Sequence, residues 1–188
     1  MISDVIICNL AASKIGDENG INAIGEDSRL GRQCELLYEF TRDTLLAEHP
    51  WNFAIGRKSL SQDSDSPDFG FDNQFILPAD CLRCLRVDGD SNPFKIESGK
   101  LLTDSLSVDL IYIKKVTDTS VFSPLFINVL VLRLATALSN VIAGSLKVAP
   151  NEVKDALRDA KLRDGQEGTP DVLTVNGPTD YKGSNWRF

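Results

Sequence analysis

The chain has 188 residues, 42% hydrophobic and 25% charged, with 27 Asp and Glu against 20 Lys and Arg for a net charge of −7. That length holds one domain, or one domain with a modest insertion, and the composition argues against disorder of the whole chain. The acidic balance, with no basic stripe, argues against a protein that works by neutralising nucleic-acid phosphates.

The first helix is expected over residues 4–15. Ser3 can cap it, Val5, Cys8, Ala12 and Ile15 fall on one face, and Gly16 ends it. The N-terminal MISDVIICNL has neither a basic region nor a cleavage site, so no signal peptide is expected. After a turn-rich connector, a second helix spans residues 28–48, with Asp27 as its cap and Leu30, Cys34, Leu37, Thr41 and Leu45 at helical spacing. Pro50 disfavours helical geometry at His49 and stops it there. Trp51 and Phe53 should then plug the chain into the core.

The middle of the chain reads as strand. Residues 53–60 suit one strand, and residues 75–89 follow as a short turn and then a strand ending near Val87. Residues 93–104 form a hairpin about Ser98-Gly99, and residues 107–116 alternate, with Val108, Leu110 and Tyr112 opposite Ile111 and Ile113. One small antiparallel sheet is the expected outcome. Helix returns at Ser123-Pro124, a cap followed by a proline at the first helical position, and runs to about residue 143. This segment is apolar enough to raise a membrane span. Arg133 at its centre would cost roughly 2.5–3.5 kcal/mol in a bilayer, so it is read as a buried core helix. A fourth helix over residues 151–164 should be capped by Asn151, turn Val153, Leu157 and Ala160 inward, and pair Asp159 with Arg163. The expected class is α+β: a four-helix bundle-like domain (residues 1–52 and 118–164), a small antiparallel β insertion (53–117) and an extended C-terminal arm (165–188).

Chemistry-bearing residues are few. The single histidine, His49, sits at a helix terminus and reads as structural. Cys8, Cys34, Cys81 and Cys84 read as reduced packing cysteines. Cys81-Leu82-Arg83-Cys84 has redox spacing, but residues three apart on a regular strand point to opposite faces, which would separate the sulfurs. Asp63, Asp65, Asp68 and Asp72 share one loop of Ser, Asp and Pro, which reads as solvated. No catalytic residue, cofactor or metal is expected. The tail carries Val172, Leu173, Thr174 and Val175, then Trp186, Arg187 and Phe188. It is either an arm that binds a partner or a segment that folds back on its own domain.

Taken in order, LAASKIGDE, ELLYEFTRDTLLAEHPWNFAIGRKSL, FILPADCLRCLRV and GKLLTDSLSVDLIYIKKVTDTSVFSPLFINVLVLRLATALSNVIAG resemble the tail tubular protein A family of short-tailed bacteriophages, the head-to-tail adaptors or gatekeepers. The resemblance covers roughly residues 5–160. It is most specific from Ala47 to Ala54 and from Leu77 to Arg83. It implies a virion protein of the head–tail junction, assembled in the host cytoplasm. The copies would form a homo-oligomeric ring, usually of twelve, docked beneath the portal protein and holding the tail nozzle. DNA would pass through the ring without specific binding, and no membrane would be involved. It further implies that the Asp63–Asp72 loop points toward the nozzle and that the tail residues Val172, Leu173, Thr174, Val175, Trp186, Arg187 and Phe188 reach the portal. Two other classes compete: a different helical connector or oligomerisation scaffold, and a small thiol-dependent or hydrolytic enzyme.

Overall fold

The computed structural model describes residues 2–88 and 92–167. Among them the order is α1 (Asp4–Lys14), α2 (Arg29–Glu48), six strands, α3 (Pro124–Leu138) and α4 (Pro150–Gln166). The class is α+β, four helices with two small antiparallel sheets.

Local chemistry sets the helix ends. Ser3 accepts from the Ile6 amide at 3.3 Å to open α1. Helix α2 opens on Ser28 rather than Asp27. The extended backbone of the cap position falls at Ser28, whose hydroxyl accepts from the Gly31 amide at 2.9 Å, while Asp27 pairs with Arg32. Pro50 holds His49 at φ −137°, ψ 143°, which ends α2 where expected. Helix α4 differs from expectation at its start: Pro150 takes the first position and Ala149 stands at the cap, so Asn151 lies inside the first turn. On its outer face Asp159 meets Arg158 at 3.5 Å instead of Arg163.

Helix α3 opens with Ser123 accepting from the Phe126 amide at 3.2 Å. Its buried residues lie all round the axis, from Phe126 and Ile127 to Leu138, because α1, α2 and α4 all pack against it. The Ser139 hydroxyl donates to the Ala135 carbonyl at 2.7 Å where the ladder widens into a π-helical turn, Ser139–Ala143, and Gly144 at φ +65° ends the run. The stretch Pro124–Ala143 is long and apolar enough to cross a membrane, and 56% of its most apolar window is buried within the protein.

Two three-stranded sheets stand where one was expected. The first has the order β1 (Ile55–Ser59), β6 (Asp109–Lys114), β3 (Cys81–Asp88); the second has β2 (Asn73–Ile76), β5 (Lys100–Thr103), β4 (Phe94–Glu97). Strand β1 starts at Ile55 because Phe53 belongs to a 3₁₀ turn, Asn52–Ala54, closed by the Ala54 amide on the Trp51 carbonyl. Strand β2 escapes the alternation rule. Its Asn73 is buried yet satisfied, donating to the Ser105 carbonyl at 3.2 Å and accepting from Gln62 at 2.8 Å. The β4–β5 hairpin turns at Ser98-Gly99, both at positive φ, as a two-residue type I′ connection requires.

Strand β6 is central in a second sense. Leu110, Ile111, Tyr112 and Ile113 are all buried, because both faces of its sheet are covered. Ile113 belongs to the large core shared with the helices, whereas Leu110 and Tyr112 belong to a smaller core with Phe75, Leu101 and Val108. Beside it, β3 departs from period two. Register shifts between Cys81 and Arg83 and between Cys84 and Arg86 each insert an extra residue. Cys81, Cys84 and Val87 therefore face the small core, and Leu82 and Leu85 pack on the large one.

Gly56 lies over the ring of Tyr112, where a Cβ would stand 2.7 Å from Cζ. The substitution Gly56→Ala is expected to destabilise the fold by about 1–3 kcal/mol through overpacking, read from the urea unfolding midpoint.

Candidate functional site

The structure corrects the reading of Cys81 and Cys84. The bulges of β3 put both thiols on one face with their sulfurs 3.7 Å apart. Burial, followed by the neighbouring Cys84, pushes the Cys81 thiol up to about 12, and burial raises Cys84 as well. Both are protonated at neutral pH, the opposite of what a nucleophilic thiolate needs. A disulfide would need the sulfurs at about 2.05 Å. The chemistry this pair offers is bidentate capture of a soft electrophile. Cys8 and Cys34 form a separate buried pair between α1 and α2, in which a hydrogen bond to Cys34 and burial push the Cys8 thiol up. Among the described residues no three His, Cys, Asp or Glu side chains converge as metal ligands.

The four loop aspartates behave differently from one another. Asp63 reaches Lys100 on β5 at 2.5 Å and accepts from Gln74 at 3.3 Å, and the lysine holds its carboxyl below the usual carboxylate range. It fastens the loop to the second sheet. Asp65 and Asp68 are exposed, and Asp72 is exposed beside the Asp104 carboxylate, which accepts the Asp72 amide at 3.1 Å. The other expected site residues, Val172, Leu173, Thr174, Val175, Trp186, Arg187 and Phe188, lie outside the described residues.

A buried, well-bonded carboxylate is one that sequence reasoning passed over. Asp164, on the last turns of α4, is 8% exposed. One carboxylate oxygen lies 3.1 Å from His49 Nε2, the other accepts the Asn52 amide at 3.1 Å, and its carbonyl accepts Asn52 Nδ2 at 2.6 Å. Alongside, Glu48 takes Arg133 of α3 at 2.5 Å and Lys161 of α4 at 2.9 Å. Trp51 is fully buried between these groups, donates to the Leu45 carbonyl at 2.9 Å and stacks edge-on against Phe126 at 5.1 Å. Among the described residues no Ser, Thr or Cys is bonded to His49, so this His–Asp pair ties α4 to the turn leaving α2. The signal was present: Asp164 continues the inward series Val153, Leu157, Ala160 by one more helical step.

Several large apolar side chains face solvent on the helices. Ile6 and Leu10 lie four residues apart on α1 at 43% and 45% exposure, with Ile2, 38% exposed, just before the helix. Leu36 and Phe40 repeat that spacing on α2 at 69% and 71%. Neither set belongs to the core stripes of its helix. No protein-family model and no curated protein matches the chain.

Two outcomes follow. Desolvation is the leading effect on His49 and lowers its pKa below 6.5, with Asp164 opposing. The unfolded chain then binds the proton more tightly, so stability present above pH 6.5 is lost as pH falls through the unfolded value toward the folded one. The thermal midpoint is expected to drop between pH 7.5 and 5.5, and to drop less in His49→Gln, which removes the sole histidine. Phenylarsine oxide should condense with the Cys81–Cys84 pair, releasing one water per chain. Mass spectrometry should show a single adduct that dithiothreitol removes and Cys84→Ser prevents.

Proposed function

We propose that the chain is the head-to-tail adaptor of a short-tailed bacteriophage, a ring-forming protein that joins a portal to a tail nozzle and leaves a passage for DNA. The observation that carries this reading is the outward apolar set on the helices, Ile6 and Leu10 on α1 with Leu36 and Phe40 on α2. Large apolar side chains left exposed at repeated positions on a helix suit surfaces that meet other proteins. The order and spacing of the motifs that resemble the tail tubular protein A family support the same reading. In it, the helices form a bundle-like ring wall with α3 at the centre, and the strands form an insertion turned away from the portal. The Asp63–Asp72 loop faces the nozzle. The net charge of −7, repeated around a ring, repels a passing duplex and lets it slide. The segment after residue 167, with Val172–Val175 and Trp186–Phe188, reaches the portal.

The test is to incubate the chain with a short-tailed-phage portal protein and weigh the complex. A portal particle carrying a full ring of copies, seen as an added layer by electron microscopy, is the expected result. One or two copies per portal, or none, overturns the reading. Deleting residues 168–188 is expected to leave the far-ultraviolet spectrum and unfolding midpoint of the helical core intact while portal binding falls at least tenfold, a loss of about 1.4 kcal/mol.

A further inference from the structure

We propose that Cys81 and Cys84 form an open two-sulfur site for one thiophilic divalent cation of the zinc and cadmium class. The site stands independently of the adaptor reading.

Backbone register brings the two residues together. On a regular strand, residues three apart stand about 10 Å from each other and point to opposite faces. In β3, Cys81 lies opposite Lys114 and Cys84 opposite Tyr112. Those partners are two residues apart on β6, so the bulge shortens the span to about 7 Å. That is the upper edge of what a disulfide bridges, and the sulfurs would have to close from 3.7 Å to about 2.05 Å. An ion between them needs no such closure. Two metal–sulfur bonds of about 2.3 Å spanning 3.7 Å meet at roughly 107°, close to the tetrahedral angle of zinc sites.

The donor set selects the ion. Thiolates hold soft and borderline cations, whereas magnesium and calcium take oxygen. The carboxylate beside the pair, that of Asp80, accepts the Tyr112 hydroxyl at 3.2 Å. Both cysteines are half-buried, so an ion reaches them from solvent. The two corners of the tetrahedron that sulfur leaves unfilled stay open to water.

Charge favours a dication. Burial keeps both thiols neutral. At Cys81, Cys84 and Asp80 add to that effect while the Arg83 amide, bonded to the sulfur, opposes it; at Cys84 the hydrogen bond with Cys81 opposes. Tyr112 on β6 is raised by burial and stays neutral as well, and the second sheet contributes Phe75 and Leu101, which carry no charge. A bare thiolate is disfavoured on this apolar face, but one dication balances two thiolates and leaves no net charge. Binding reads M²⁺ + 2 RSH → M(SR)₂ + 2 H⁺. Two S–H bonds break, two metal–sulfur bonds form, and both protons pass to solvent.

The experiment uses the full chain, reduced with a phosphine and free of thiol reagents, with cadmium chloride as the probe. Thiolate-bound cadmium absorbs in the ultraviolet, and native mass spectrometry counts the ions. One cadmium per chain is expected, displaced by zinc but not by magnesium or calcium. Cys81→Ser and Cys84→Ser should each weaken binding about tenfold or more. Cys34→Ala, in the fully buried pair, should leave it unchanged. Unfolding midpoints verify that the variants fold, and the wild type supplies a second readout. With two protons released per ion, apparent affinity should rise about a hundredfold per pH unit between pH 6 and 8. No thiolate absorption with excess cadmium, a pH slope of one proton or none, or binding that survives in both serine variants overturns the proposal. So does binding lost in folded Cys34→Ala and kept in Cys84→Ser, which would place the ion on the other pair.

Discussion

A carboxylate that is 8% exposed must be bonded at both oxygens or it costs several kcal/mol, and Asp164 meets that demand by gripping the turn that leaves α2. Its two oxygens and its carbonyl take His49, the Asn52 amide and the Asn52 side chain, three groups within four residues of each other. The last helix is thereby tied to the point where the chain passes from helix to strand, 112 residues away in sequence. Trp51 lies between the tied residues and fills the space against Phe126, so α3 is held by the same turn. Glu48 adds Arg133 and Lys161 around the rim. Helices α2, α3 and α4 are registered on one another and on the first sheet through this single segment.

The strands depend on a second constraint, the coverage of β6 on both faces. A strand with one face in water can alternate, but β6 lies between the helical core and the core made with the second sheet. Its partner β3 must follow a twisting sheet while supplying side chains to both cores. The two bulges do this, converting the period from two to three and setting Cys81, Cys84 and Val87 on one side. The closeness of the sulfurs is a by-product of that packing rule. Their raised pKa follows from the same burial, so geometry that resembles a redox motif carries the electrostatics of a packed strand.

The outer faces follow from how little of each helix the core requires. Helix α3 is packed against by α1, α2 and α4 and buries side chains all round its axis. Helices α1 and α2 each bury one stripe and still carry large apolar groups elsewhere, at Ile6 and Leu10 and at Leu36 and Phe40. Within one copy these groups contribute nothing to the cores, which is the reason to look beyond one copy for what covers them.

The helices could be read from residues alone because their causes are local. Ser3 and Ser123 accept from amides three residues on, Pro50 and Gly144 interrupt the backbone where they stand, and a period near 3.6 marks each buried stripe. The Ser98-Gly99 hairpin and the period of β6 were legible for the same reason. What required tertiary structure is whatever depends on a partner distant in sequence. The division of the strands into two sheets turned on Asn73 finding Ser105 and Gln62. The three-residue repeat of Cys-Leu-Arg was visible in the sequence, yet its meaning depended on β6 lying beside it with both faces covered. Asp164 stood in an apolar series as an apparent misfit, and only the arrival of His49 and Asn52 made it the group that holds the helices and sheet together. Local propensity acts within a few residues of its source, whereas a buried polar group is settled by whichever partner the folded chain brings to it.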